Sequence, residues 1–286
     1  MSGPGFDAVA MKDRERATWS AVSVGWKTHD ERLVEFSQPV TEELVRRAGI
    51  RPGIRVLDLA SGTGEPSITI AERVGPGGSV LGVDLAEPML AVAREKATRR
   101  SVKNVEYRVA DAENLELPSA AFDAATMRWG IMFLPDPVAA MRQVHRVLCP
   151  GAKVALAAWG PPDANPFLRI PLDVIRRHIE VPTPPPGSPG LFAFGQPARL
   201  PETLKQAGFR DVGSAELKLQ IACFENGADY WKFQRAIAGP ITRLYEPLSP
   251  EVRGKIDAEV AAEAEKFRAG DQLSVPAMTW IGWGTR

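Results

Sequence analysis

The chain has 286 residues, of which 44% are hydrophobic, and its 35 basic and 35 acidic residues cancel. That length holds a real core without staples, and the charge balance argues against bulk attraction to nucleic acid or an anionic membrane, which leaves a small molecule as the favoured partner. No basic-plus-apolar leader and no apolar run of about 20 residues stands out, so the expectation is a soluble, cytoplasmic protein without membrane insertion and with its two cysteines reduced.

Residues 1–12 carry three small breakers and read as a frayed terminus. From Arg14 to Ala48 the spacing predicts helices, with Trp19, Val22, Trp26, Leu33, Phe36, Val40, Leu44 and Val45 recurring mostly every three or four positions. That makes 1–50 a helical lid segment, ended by Gly49 and the Pro52-Gly53 pair. Residues 51–159 then alternate strand and helix. Strands are expected near Arg55–Ala60, Ser79–Asp84, Val105–Ala110, Phe122–Met127 and Ala152–Ala157. Helices are expected over Ser67–Val74, Pro88–Arg99 and Pro137–Leu148, the last stopped by Cys149-Pro150-Gly151. Gly160 to Pro201 contains eleven prolines, including Pro184-Pro185-Pro186, so 160–200 reads as a lid insert with one helix over Phe167–Ile179. Residues 201–286 complete the sheet: a helix over Pro201–Ala207 capped by Gly208, a strand over Asp211–Phe224, a helical insert near 228–268 and a final strand over Leu273–Trp283. The fold class is α/β, a doubly wound, mostly parallel, Rossmann-like sheet of seven strands with a helical lid.

The stretch that organises the rest is Arg55–Pro66, RVLDLASGTGEP. Val56, Leu57 and Leu59 make a buried strand; Ala60, Ser61, Gly62, Thr63 and Gly64 lack the bulk to keep a ligand from the backbone; Pro66 sits where a first helical turn needs no N–H. Asp58 decides between ligands, because a carboxylate beside the loop repels the pyrophosphate of a dinucleotide and suits a cationic ligand. The spacing agrees, since Ser67 stands where the third glycine of G-x-G-x-x-G belongs and no GKT or GKS follows. Twenty positions after Gly64, Asp84 ends the second strand where an acid binds a ribose.

VLDLASGTG resembles the first motif, D-x-G-x-G-x-G, of the class I S-adenosylmethionine-dependent methyltransferases, with Ala60 in place of the first glycine. The resemblance runs well over roughly Arg51–Ala157 and rests on four separated motifs in the right order. It is greatest to the branch of ubiquinone and menaquinone C-methyltransferases and small-molecule O- and N-methyltransferases. It implies S-adenosylmethionine as cofactor, bound by the loop from Asp58 through Gly64. Asp84 then takes the ribose hydroxyls, Leu85 and Met89 flank the adenine, and Asp111 with the backbone of Ala112 reads the adenine edge. Arg128, at the end of the fourth strand, is expected to meet the methionine carboxylate, with Asp58 at the amino end, and Trp129, Met132 and Phe133 to wall the crevice.

Each residue also has a plainer reading. Asp84 caps the next helix, Asp111 serves a turn, Arg128 pairs with Asp58 or another local acid, and Phe133 is core. Aromatic residues of the outer segments (Trp19, Trp26, Phe167, Phe192, Phe194, Tyr230, Trp231, Phe233, Tyr245) suggest an apolar acceptor pocket, or else simple packing of the lid. Of the histidines, His145 reads as structural, and His29 and His178 are weak candidates for a base; no side chain is expected to be indispensable for proton transfer. No metal-ligand spacing occurs, and Cys149 and Cys223 read as core filling. The reading is therefore methyl transfer to a small, largely apolar acceptor. A nicotinamide-dependent oxidoreductase and a non-catalytic nucleoside-binding module are the alternatives.

Overall fold

Asp7 accepts the backbone N–H groups of Val9 and Ala10, which starts α1 at Ala8–Thr28. The expected frayed terminus therefore fails from residue 8 on, because a capping carboxylate supplies the partners that the first turn lacks. The computed structural model describes residues 7–181, 185 and 187–286, so Pro184 and Pro186 of the proline run lie outside the described residues, as does the side chain of Cys223. The long helical run divides at His29, whose N–H closes α1 on Gly25 and whose carbonyl opens α2, Asp30–Ala48. Gly49, left-handed at φ 67°, ends α2, and the Ile50 N–H returns to the Val45 carbonyl.

The sheet layer follows as β1 (Arg55–Leu59), α3 (Ser67–Val74), β2 (Ser79–Asp84), α4 (Glu87–Arg99), β3 (Val105–Val109), β4 (Phe122–Arg128), α5 (Pro137–Val147) and β5 (Leu148–Trp159). Then come α6 (Pro166–His178), α7 (Arg199–Gln206), β6 (Arg210–Phe224), α8 (Gly227–Ile237), α9 (Gly239–Tyr245), α10 (Pro250–Glu265), the two-residue β7 (Arg268–Ala269) and β8 (Gln272–Thr285). The seven long strands lie in the order β3-β2-β1-β4-β5-β8-β6, with β7 added to β8. β1 to β5 pair in parallel, and β8 runs antiparallel to both β5 and β6. Continuous apolar runs such as Val56-Leu57 and Val80-Leu81 suit strands covered on both faces.

One boundary differs from expectation. α5 stops at Val147, but Cys149-Pro150-Gly151 lies inside β5 rather than ahead of it. The β4–β5 register slips between Phe122 and Ala124; this bulge accommodates Pro150, which has no N–H to give, and Gly151 at φ 78°. Cys149 is half-buried there, packed against the edge of the core with its sulfur on the Ala120 carbonyl.

The expected helical insert at 228–268 is three helices, broken at Gly239-Pro240 and at Pro250, with Asn226 and Ser249 as side-chain caps. Together with α1 and α6 they form a cap. Gly25 lets α1 touch α8: a Cβ there would stand 1.9 Å from the Ala236 carbonyl oxygen. Among the described residues no helix is long and apolar enough to cross a membrane.

Candidate active site

Strand order reverses between β1 and β4, and a doubly wound sheet binds ligands in the crevice outside the strand ends at that point. The loop after β1 is fastened there by its own backbone: Ser61 N–H to the Val83 carbonyl, Gly64 N–H to the Ser61 carbonyl, and Gly62 N–H to Asp84 Oδ2 at 2.9 Å. Ala60 is left-handed at φ 51°, which costs a non-glycine residue about 1–2 kcal/mol and explains a glycine at this place in the resembling motif. Gly130, after β4, lies so close that a Cβ on it would stand 2.4 Å from that of Ala60.

The two loops bound a cavity of about 160 Å³ that reaches up into the cap. Ala60, Ser61, Gly62, Asp84, Leu85, Met89, Asp111, Ala112, Arg128 and Trp129 are on its wall. Asp58, Thr63 and Gly64 are not, which corrects the expectation that Asp58 meets the ligand. Asp58 is fully buried under the loop, where its oxygens accept from Ser67 Oγ at 2.5 Å and Thr126 Oγ1 at 2.7 Å. The register makes Thr126 its neighbour across β1 and β4. Burial pushes the Asp58 carboxyl up to about 6, against the pull of the two hydroxyls and of Arg128. Gly64 instead allows β3 to approach, since a Cβ there would stand 2.9 Å from the Tyr107 hydroxyl.

Asp84 does not cap α4, whose N-cap Ala86 has no side-chain cap bond, but braces the turn and the loop beside it. Its Oδ1 accepts from Ala86 N–H at 2.9 Å, a local turn at the start of α4, and its Oδ2 holds the loop. Burial raises its pKa, opposed by these backbone donors. A carboxylate has about four acceptor sites, so two remain for a ligand. Asp111 accepts from Glu113 N–H and meets Lys12 Nζ at 2.7 Å; Lys12 also reaches Glu113 at 2.6 Å. Arg128 is buried and donates to Ser37 Oγ, Thr41 Oγ1 and the Glu65 carbonyl. Neither Asp58 nor any other carboxylate lies within 4.0 Å of it among the described residues, so the pairing weighed as its alternative is not made. Trp129 is left-handed at φ 56°, a strained state for a bulky residue. It is held by its N–H to the Ala157 carbonyl, by Nε1 to Thr279 Oγ1 at 3.1 Å, and by stacking on Trp159 with ring centroids 4.2 Å apart.

The cap side of the cavity is aromatic: Trp19, Trp26, Phe36, Phe133, Trp159 and Phe167. Of the outer aromatics singled out, only Trp19, Trp26 and Phe167 are on the wall. Tyr230, Trp231, Phe233 and Tyr245 pack inside the cap. Neither candidate histidine reaches the cavity. His29 sits edge-on to Phe233 with centroids 5.1 Å apart, and His178 Nε2 lies 2.8 Å from Glu259. Sequence reasoning missed Lys12, Glu15 and Gln234. Glu15 Oε2 and Gln234 Oε1 are buried on the wall without a hydrogen-bond partner among the described residues. Burial raises the Glu15 pKa, opposed by Arg243 and Arg14. The missed signal is positional: Lys12, Glu15, Trp19, Val22 and Trp26 form one stripe at helical spacing, so Glu15 lies in line with apolar residues.

The wall fits the implied cofactor. Ser61 Oγ, on the loop, is a third buried polar atom of the lining residues that has no partner among the described residues. Among the described residues Glu15, Glu65, Asp84 and Asp111 line the cavity against Lys12 and Arg128; Glu65 gives its carboxylate to Lys96 and Arg100, and the three remaining acids still outnumber the two bases, a balance that favours a ligand carrying positive charge. A pyrophosphate would meet the opposite preference.

Comparison with known proteins points the same way. Residues 37–171 match the model of the ubiE/COQ5 methyltransferase family. A nocamycin O-methyltransferase of Saccharothrix syringae is 29% identical over 257 residues, covering 86% of this chain and 90% of that protein. A demethylmenaquinone methyltransferase of Thermus thermophilus is 42% identical over 113 residues, 40% of this chain; the chain thus spans about half (50%) of that relative's length. In fold, the chain is similar to phosphoethanolamine N-methyltransferase 2 of Haemonchus contortus, solved with S-adenosyl-L-methionine, with a TM-score of 0.51, 21% identity, and coverage of 86% of this chain and 52% of that one. The matched family model and the relatives agree on one chemistry, S-adenosylmethionine-dependent methyl transfer to a small molecule, and the solved structure shares the fold.

Proposed function

We propose that the acceptor is a small, largely apolar, ring-bearing molecule held under the helical cap, and that methyl transfer goes to it from S-adenosylmethionine lying along the strand ends. The observation that carries this reading is the two-sided cavity, in which an acid-rich wall at the ends of β1 to β4 continues into an aromatic wall from α1, α2, α6 and the end of β5, closed by Gln234 and Ile237 of α8. In this reading Asp84 accepts the ribose hydroxyls, Leu85 and Met89 flank the adenine, and Asp111 with Ala112 meets its edge once Lys12 shares the carboxylate. Arg128, pre-set by Ser37 and Thr41, meets the amino-acid carboxylate. Asp58 acts from behind the loop by fixing Ser67 and Thr126 and biasing the charge of Arg128. The likeness to nocamycin O-methyltransferase over most of both chains favours oxygen as the methylated atom.

The cofactor supplies an already activated methyl group, so the chain's task is to orient its partner and exclude water, which well-aligned systems turn into about 7–11 kcal/mol. The test is to incubate the protein and S-adenosylmethionine bearing a deuterated methyl with fractionated cell extract and to follow metabolites by mass spectrometry. The expected result is a small apolar metabolite that gains the labelled methyl. Cofactor binding with no labelled product from any fraction would instead favour a non-catalytic nucleoside-binding module.

A further inference from the structure

Two residues lining the aromatic half of the cavity each carry a buried acceptor oxygen that has no hydrogen-bond partner among the described residues. Glu15 Oε2 comes from α1 and Gln234 Oε1 from α8, while Gln234 spends its Nε2 on the Phe167 carbonyl at 2.6 Å, which fixes the amide with its oxygen free. Gln234 is fully buried and Glu15 is 8% exposed, so water does not readily satisfy either. The other Glu15 oxygen lies 3.7 Å from Arg243 of α9 and 3.8 Å from Arg14, contacts that favour its charged form. Buried acceptors are kept where something donates to them. Around them stand flat apolar faces, Trp19, Phe36, Trp159 and Phe167.

We propose that Glu15 and Gln234 are the polar recognition pair for the methyl acceptor, and that the acceptor is an aromatic or similarly planar apolar molecule bearing an O–H or N–H group. This rests on the methyltransferase reading for the word acceptor, but the pocket's selectivity stands apart from it. A ring fills the space between the aromatic walls, and its donor hydrogen meets a Glu15 oxygen, the carboxylate that Arg243 and Arg14 hold against the upward push of burial. A fully alkylated analogue leaves both oxygens unmatched, which is how a buried polar site rejects a ligand that lacks the hydrogen.

The test uses 2-naphthol and 2-methoxynaphthalene, one ring system with and without the O–H, with binding read by quenching of the cavity tryptophans. Wild-type protein is expected to bind 2-naphthol at least about tenfold more tightly than its methyl ether. Glu15→Leu should narrow the gap most and Gln234→Leu less, and Glu15→Gln, which keeps an acceptor oxygen without the charge, should retain an intermediate preference and so report even if Glu15→Leu fails to fold. No binding of 2-naphthol, equal wild-type affinities, or an undiminished preference in both Glu15 variants would overturn the proposal. Calorimetry of wild-type protein with S-adenosylhomocysteine, run alongside, keeps the two ideas apart: failure there removes the methyltransferase reading whatever the naphthol pair shows.

Discussion

The two halves of the cavity are built by different means. The half at the strand ends comes from short loops, each directly after a parallel strand, and its geometry is fixed by backbone hydrogen bonds: Gly62 to Asp84, Ser61 to Val83, Trp129 to Ala157. The cap half comes from α1, α6 and α8, which are distant in sequence and are joined by side-chain packing and a few long-range bonds such as Trp26 Nε1 to the Ile237 carbonyl at 2.8 Å. A loop pinned to a sheet edge positions its ligand by backbone geometry that tolerates few sequences. A helical cap can change its wall residues while keeping its packing. The cofactor therefore belongs with the first half and the selectivity for acceptor with the second.

The largest effect expected from separating them is at Asp58. Its folded pKa, about 6, lies above the ordinary value of 3.8, so the folded protein holds this proton more tightly than the unfolded chain. Stability from this group is present below the unfolded value and lost as pH rises through about 6, a decline of about 3 kcal/mol at 1.36 kcal/mol per unit. Asp58→Asn should remove that decline, so a plot of stability against pH between 4 and 7 flattens relative to wild type. An unchanged slope would mean that Asp58 is not the buried proton-holding group. Next, Asp84→Ala should weaken S-adenosylhomocysteine by about 1.5–3 kcal/mol, the range for losing charge-assisted hydrogen bonds, while the acceptor-side probes bind as before. Arg128→Met should cost S-adenosylhomocysteine about tenfold more affinity than 5′-methylthioadenosine, which lacks the carboxylate. Equal losses would mark Arg128 as a support between α2 and the loop only. The smallest effect is expected from His29→Gln and His178→Gln, since both rings lie off the cavity. Turnover should fall far less than the about 100-fold that marks a general base, and a larger fall restored at high pH would reinstate that histidine.

The difference between the halves also explains what could be read beforehand. Strand, loop and acid sit within a few residues of one another in RVLDLASGTGEP and VLGVDLAEP, so their placement at the sheet edge is local information. Asp58 was the exception, because whether a strand residue faces the ligand or lies beneath the loop depends on which neighbour, here Thr126, shares its face. The cap was legible as helices but not as a wall. Which stripe of α1 faces inward is decided by α8 and by Gly25, about 210 residues apart in sequence from its contact Ala236. Glu15 and Gln234 look like ordinary polar positions until that docking is known. The breaks at Gly239-Pro240 and Pro250 were visible as residues, yet the apolar period continues across them, which merges three helices into one run.

The central claim is that the strand-end half is a site for a cationic nucleoside ligand and not for a dinucleotide, and calorimetric titration of the wild-type protein with S-adenosylmethionine and, separately, with NADH measures it directly. The account predicts saturable one-site binding of S-adenosylmethionine and no heat of binding for NADH; saturable binding of NADH with none of S-adenosylmethionine would contradict it.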